Sequence, residues 1–360
     1  MENIIVVYGG KSCESDISVI TALSIISSVK SVYRATLVYL KDGRFFIGKA
    51  LSDITFYRSF DPKKCKEVTF KKGRMFRKKL FDKGEKVDCA LVCCHGGQGE
   101  NGSLSGYFEI AGVPYTCCGP LQSAVCMDKT FTKYLLQYFH FPSLPFRVYK
   151  KGDEVALPSD YPVIVKPASL GSSIGIGIAE NEEQLSKRIE TALQFDEKLL
   201  LEKALVGRRE FTCAVMTAEG NVVCSQIEEV IAPEEFYSFD EKYGMNETKR
   251  VYPAQVAPLL EAKIYKISKR IYRLFELKGA VRIDFLEKDG KLFVNEINTV
   301  PGSLSWYLFK NVGYDLCALC RCLITDAIKR KEKENLLFTD FKSDVLNCFS
   351  ACGKGSGKYK

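Results

Sequence analysis

The chain has 360 residues, of which 46% are hydrophobic and 27% charged, with a net charge of +8 and a mean hydropathy of −0.07. That is globular composition, long enough for two or three domains with real cores, and no apolar run is long enough to cross a bilayer. The lysine-rich stretches at 63–86 and 328–333 and the GKGSGKYK tail lack interleaved aromatics and read as solvated faces, so neither nucleic acid nor a membrane is expected as a partner.

In chain order, NIIVVYGG is a buried strand, residues 16 to 30 a helix, ATLVYL a strand, VDCALVCCHGG another, and GVPYTCCG a short one. Alternation of this kind predicts a parallel α/β domain over 1–124, with ligand groups gathering at the carboxyl ends of its strands. Glu14 stands just past the first glycine turn. It is placed to hold a substrate ammonium or simply to begin the next helix, where the macrodipole favours an acid. His95 follows a buried strand and precedes two glycines, which turns it toward the same cleft unless it serves structure alone.

From about residue 125 the texture becomes α+β. DKTFTKYLLQYF is helical, YPVIVKP is a strand, ENEEQLSKRIETALQF is an amphipathic helix, and KLLLEKAL is a strand; together they predict a lobe over 125–203. VIVKPASLGSSIGIG puts Lys166 at a strand end ahead of small residues that let backbone amides approach phosphate oxygens. It is not a Walker A loop, and a plain turn between strands would look similar. LLLEKALVGRREF ends a strand at Glu202 and Lys203 and reaches Glu210 soon after. Such a connector could hold an adenine edge and ribose hydroxyls, or be an exposed strand end.

A second α+β lobe is predicted over 204–345, with strands REFTCAVMT and NVVCSQIEEV, a polar loop carrying Lys242 and Tyr243 of the kind that closes over a site, and helices near 258–277 and 314–331; residues 346–360 read as a disordered basic tail. Its hairpin, VRIDFLEKDGKLFVNEINTVPG, alternates Val281, Ile283 and Phe285 with Arg282 and Asp284, then sets Phe293 and Ile297 against Glu296 and Asn298, with Asn295 out of pattern. A three-residue loop, Lys288 to Gly290, is predicted, because a two-residue Asp289-Gly290 loop would put Asp284 and Glu296 on opposite faces. Two carboxylates and a carboxamide then converge. They suit magnesium on a nucleotide, or form a solvated face with an Arg-Asp pair.

Fifteen cysteines, several inside apolar segments, read as free thiols in a reducing compartment, and MENIIVVYGG lacks the features of a secretory signal, so a cytoplasmic location is expected. Cys317, Cys320 and Cys322 have a metal-like spacing. With no second knuckle and only two histidines, zinc is not expected.

In order, VVYGGKSCESDIS, HGGQGENGSLSGYFE, MDKTFTK, VIVKPASLGSSIGI, LEKALVGRREF, FDEKYGMNETKRVYPA and RIDFLEKDGKLFVNEINTVPG resemble the D-alanine:D-alanine ligase family of the ATP-grasp superfamily over most of the chain. The resemblance implies an ATP-grasp fold, with a Rossmann-like parallel α/β domain ahead of two α+β lobes that clamp ATP. It implies ATP contacts from Lys129, Lys166, Ser172, Glu202, Lys203, Leu205, Glu210 and Lys242, with the loop 169–177 covering the phosphates. Asp284, Glu296 and Asn298 would ligate two magnesium ions, with manganese as an alternative. Glu14, helped by Ser172 and Tyr243, would hold the first D-alanine, His95 and Tyr307 would line the substrate pocket, and Arg282 with the N–H of Gly302 would stabilise the oxyanion. The implied product is D-alanyl-D-alanine for peptidoglycan precursors, made in two steps through an acyl phosphate, by a homodimer. A second substrate such as D-serine or D-lactate, or a paralogue that binds nucleotide without turnover, are the alternatives. Three departures from the family pattern bear on them: Asn101 stands where an acid is usual, Tyr307 stands near the place of a serine, and VGRRE is one residue longer than usual.

Overall fold

The computed structural model describes residues 1–79, 81–154, 158–231 and 249–337, so Lys242, Tyr243 and the basic tail lie outside the described residues. Three sheets carry the chain. In the first, β1 (Asn3–Gly9), β2 (Arg34–Lys41) and β7 (Cys89–Val92) are the parallel core, with β1 between the other two. Residues Ile4 to Tyr8 of β1 are almost wholly buried, as expected of a strand covered on both faces. Helix α1 (Ser15–Val29) follows β1 and packs on it.

The rest of this sheet differs from the purely parallel expectation. The strands β3 (Arg44–Ile47), β4 (Lys66–Lys71), β5 (Arg74–Arg77) and β6 (Glu85–Lys86) extend it as an antiparallel meander. Two of its turns are two-residue loops, Asp42-Gly43 and Lys72-Gly73, with positive φ at all four residues, the geometry that matches strand twist. Much of the lysine-rich stretch is thus strand with its charges turned to solvent. GVPYTCCG contributes only a single bridge, Ala90 to Tyr115.

Short helices α2 (Gly97–Glu100), α3 (Ser103–Ala111) and α4 (Pro120–Met127) lead to α5 (Lys129–Tyr138). Asp128 caps α5, its carboxylate accepting from the N–H groups of Thr130 and Phe131, and so fixes Lys129 as the first helical residue. The second sheet has the order β10-β9-β11-β8, built from β8 (Phe146–Lys150), β9 (Val163–Pro167), β10 (Gly177–Ala179) and β11 (Lys198–Lys203). Helix α6 (Glu182–Ala192) buries Leu185 and Ile189 against Val163, Val165, Leu199 and Leu201.

The third sheet, in the order β14-β13-β12-β15-β16, comprises β12 (Arg209–Ala218), β13 (Asn221–Ile231), β14 (Lys249–Val251), β15 (Val281–Lys288) and β16 (Lys291–Asn298). The helix Pro258–Leu274 covers β12 and β13, burying Ile264 and Ile271 with Phe211, Phe285 and Val294. The last described helix, Leu316–Glu334, packs against α1, β7 and β12, which joins the first sheet to the third. Among the described residues no helix is long and apolar enough to cross a membrane.

Candidate active site

The hairpin β15–β16 departs from expectation in an instructive way. Lys288 pairs with Lys291, so the loop is the two-residue Asp289-Gly290, with φ of 51° and 74°, and not the predicted three-residue one. By parity alone this would set Asp284 opposite Asn295. Instead the register shifts between Asp284 and Phe285: Phe285 pairs with Val294 but Asp284 pairs with Glu296, leaving Asn295 as the extra residue of a bulge. The bulge, rather than the loop, brings the two acids side by side. It also moves Phe293 off the buried face, where Leu292 and Val294 join Ile297.

Around Asp284 the contacts are dense. Arg282 grips it with two parallel bonds, Nε to Oδ1 and Nη2 to Oδ2, both 2.8 Å, and Asn298 Nδ2 donates to Oδ2 at 3.0 Å. Burial, reinforced by Glu296 and opposed by Arg282, pushes the Asp284 carboxyl up to about 6. For Glu296 burial acts in the same sense, but Lys129, Arg282 and Lys166 outweigh it and hold the carboxyl below its ordinary value. Among the described residues no group of three or more His, Cys, Asp or Glu side chains is placed to hold a metal. The set here is two carboxylates with a carboxamide, hard oxygen donors that fit magnesium, which takes one or two carboxylates and completes its octahedron with water and phosphate. Fit therefore rests on the pairing of Asp284 with Glu296 and on Asn298 beside Asp284.

The wall facing these acids is cationic. Lys166, at the end of β9, donates to Glu202 Oε2 at 2.6 Å and across to Asn295 Oδ1 at 3.2 Å, so the bulged residue ties the second sheet to the third. Lys129 donates to the carbonyl of Leu170 in the loop after Lys166, and burial holds its ammonium below the ordinary value against the pull of Glu296. Glu202 also forms an ion pair with Lys133 of α5, a residue the sequence did not single out; both side chains are almost wholly buried, at 1% and 0% exposure. Burial alone would raise the Glu202 carboxyl. Lys166 and Lys133 more than reverse that, so it lies below its ordinary value.

Past β11, Lys203 is exposed and Leu205 half-buried. Arg208 folds back to the Leu205 carbonyl at 3.2 Å and to Glu210 Oε1 at 2.5 Å, while Arg209 turns to Glu229 at 2.7 Å. The doubled arginine thus serves two faces of β12 and leaves Glu210 beside the connector.

Glu14 ends the turn opened by Gly9, whose φ of +92° and whose missing Cβ, which would lie 2.4 Å from the Leu40 carbonyl, require glycine. The Ser172 hydroxyl donates to Glu14 Oε1 across 158 residues of sequence, so the loop 169–177 and the first domain meet there. Ser172 has φ of 54°. His95 is 2% exposed, and both ring nitrogens have protein partners: Nε2 meets Thr21 Oγ1 at 2.9 Å and Nδ1 meets the Val300 carbonyl at 2.7 Å. Its ring nitrogens thus join α1 to the turn before Gly302, and burial lowers its basicity. Thr21 Oγ1 also accepts from the Ser303 N–H at 3.2 Å.

After Gly302 the backbone makes a left-handed turn, with φ of 51°, 52° and 49° at Ser303, Leu304 and Ser305, a conformation costing roughly 1–2 kcal/mol per non-glycine residue. Burial of Leu304 and the Thr21 contact hold it. Tyr307 follows, its hydroxyl 3.1 Å from both oxygens of Glu228, itself 1% exposed and bonded by Arg250 at 2.9 Å. Glu100 is a second buried acid missed in the sequence: it accepts from the Gly96 N–H at 3.0 Å, and burial pushes its carboxyl up to about 7. Asn101, in place of an acid, still accepts from the Ser103 N–H at 3.0 Å in the turn between α2 and α3.

Two α+β sheets that face lysines from one toward a carboxylate-amide set on the other, behind an α/β domain, define the ATP-grasp fold. Family models agree: the D-ala D-ala ligase N-terminus matches residues 3–118 and the D-ala D-ala ligase C-terminus matches 142–325. A D-alanine--D-alanine ligase of Thermosipho melanesiensis is 35% identical over 355 residues, covering 94% of this chain and 97% of its own. Among solved structures, D-alanyl-alanine synthetase A of Vibrio cholerae superposes with a TM-score of 0.78 at 26% identity, covering 91% of this chain and 98% of its own. The VanG D-Ala:D-Ser ligase of Enterococcus faecalis gives 0.80 at 25%, covering 90% and 98%. The chain belongs to the D-alanine--D-alanine ligase family.

Proposed function

We propose that the protein joins two D-alanine molecules to D-alanyl-D-alanine at the expense of ATP, supplying a peptidoglycan precursor. The observation that carries this reading is the bulged hairpin, which aligns Asp284 with Glu296 and bonds Asn295 to Lys166 of the opposite wall. ATP lies between the walls, its phosphates against Lys129 and Lys166 under the loop 169–177, its adenine and ribose near Glu202, Lys203, Leu205 and Glu210. Magnesium, held by Asp284, Glu296 and Asn298, would spread the phosphate charge; manganese suits the same donors.

Glu14, oriented by Ser172, takes the ammonium of the first D-alanine. That substrate's carboxylate oxygen attacks the γ-phosphorus and ADP leaves, giving an acyl phosphate. The second amine attacks the acyl carbon, and Arg282 with the Gly302 N–H holds the oxyanion until phosphate departs. By family resemblance, Tyr243 helps Glu14 hold the ammonium of the first D-alanine and Lys242 approaches the γ-phosphate as its loop closes; both lie outside the described residues. His95 lines the substrate pocket, its ring nitrogens holding α1 and the Gly302 turn in place around it. Small molecules are the partners, in a homodimer, and the thirteen described cysteines, all unpaired, favour the cytoplasm.

A second reading keeps the catalyst and changes the second substrate to D-serine, D-lactate or another nucleophile in place of D-alanine. It is favoured by Tyr307, whose hydroxyl is given to Glu228 where the family usually has a serine. Incubation with ATP, magnesium, mixed D-amino acids and D-lactate, followed by mass spectrometry, separates them: D-alanyl-D-alanine as main product is expected, a mixed product would select the second reading, and no ADP with any of them would reject both.

A further inference from the structure

Lys133 has no role in the reading above, yet it is among the most deeply buried charges of the molecule, at 1% exposure. It stands one helical turn beyond Lys129 on α5, and its ammonium forms an ion pair with Glu202 Oε1 while Lys166 holds Oε2 at 2.6 Å. One carboxylate therefore sits between two ammonium groups. Only one of them, Lys166, reaches on toward the opposite wall, through Asn295 at 3.2 Å.

A buried carboxylate with a single cationic partner binds that partner strongly, because releasing it strands an unpaired charge. If Lys166 were the only cation at Glu202, a phosphate could draw on its charge only by leaving Glu202 uncompensated. With Lys133 in place the carboxylate stays balanced, and the trio keeps one net positive charge to offer. We propose that Lys133 is a positioning residue that carries the counter-charge of Glu202 and so makes Lys166 available to the nucleotide phosphates. The idea rests on the reading of Lys166 as a phosphate contact.

The test uses the full-length protein and steady-state kinetics with ATP and D-alanine varied separately. Lys133→Met is expected to raise the KM for ATP at least about tenfold and to move the KM for D-alanine by less than about twofold, a split that a general loss of structure would not give. On a Glu202→Gln background, where no charge is left to strand, Lys133→Met is expected to change the KM for ATP by less than about twofold relative to Glu202→Gln alone. Lys166→Met serves as control and is expected to weaken ATP. Lys133→Met without effect on the KM for ATP, while Lys166→Met weakens it, would overturn the proposal alone. Lys166→Met without effect would instead overturn the reading of Lys166, and the proposal with it. Should Lys133→Met not fold, the double variant decides: it is expected to bind ATP within about twofold of Glu202→Gln alone, and a further weakening of about tenfold would overturn the proposal.

Discussion

The two walls of the cleft balance their charges differently. On the second sheet, Glu202 is sealed between Lys133 and Lys166 and none of the three is more than 9% exposed at its side chain. On the third sheet, Arg282 and Asp284 form one bidentate pair with 22% and 15% of their side chains exposed. The sealed cluster is a fixed electrostatic platform. The open pair can be rearranged, since a cation drawing on Asp284 would still leave Arg282 hydrated and near a developing anion.

Asp284→Ala is the most direct way to break that contrast. If the open pair is the reactive one, turnover of ATP with D-alanine falls at least about a thousandfold, roughly 4 kcal/mol of transition-state stabilisation. Folding should suffer far less, because the Arg282 left behind is partly hydrated. Near-normal phosphate release from this variant would show that the hairpin is a structural feature and not the metal-binding wall. An unfolded variant would show that the pair is as sealed as Glu202.

Glu100 sharpens the comparison, being a buried acid whose one direct bond among the described residues is from the Gly96 N–H. Its carboxyl is raised to about 7, by burial first and then by Glu14 and Glu296, with Gly96 and Arg282 opposing. A carboxyl raised in the fold is protonated there more readily than in the unfolded chain. Its stabilisation is therefore complete below the unfolded value near 4.5 and is lost as pH rises through about 7. Over that window the loss is about 3 kcal/mol. Urea denaturation between pH 4.5 and 8 should show wild type weakening relative to Glu100→Gln; parallel profiles would mean that Glu100 is ionised and compensated like Glu202.

Much of this could be read from the sequence, and the misses share a cause. Alternation along Val281 to Phe285 and the small-residue loop after Lys166 are local patterns, and both were legible. The bulge at Asn295 was not, because a strand sequence carries the parity of its side chains but not the point where its partner slips by one residue. The amide that broke the apolar stripe was the available signal. Lys133 looked like an ordinary lysine of an amphipathic helix, since burial of a charge depends on an acid 69 residues away in sequence. Glu100 and Glu228 were hidden for the same reason. The antiparallel meander, by contrast, was announced by its Asp-Gly and Lys-Gly turns and went unread beside the lysines.

The smallest expected effect lies at Tyr307. Its hydroxyl donates to Glu228, which is also held by Arg250 at 2.9 Å. Arg250 is half exposed at its side chain, so this cluster is sealed on one side and open on the other, between the two walls in character. Burial, then Glu228, pushes the Tyr307 phenol up to about 12, so it is a neutral donor at any working pH. Tyr307→Phe removes one bond to a charged group but leaves Glu228 its arginine. The expected cost is about 1–2 kcal/mol of folding stability, read from a shifted denaturation midpoint. ADP formation driven by the first substrate should be unchanged, because Glu14 and Ser172 hold that molecule elsewhere. If Tyr307 also faces the second substrate, only its KM should move, by a few-fold; a fall in kcat with that KM unmoved would place Tyr307 at the reacting atoms instead.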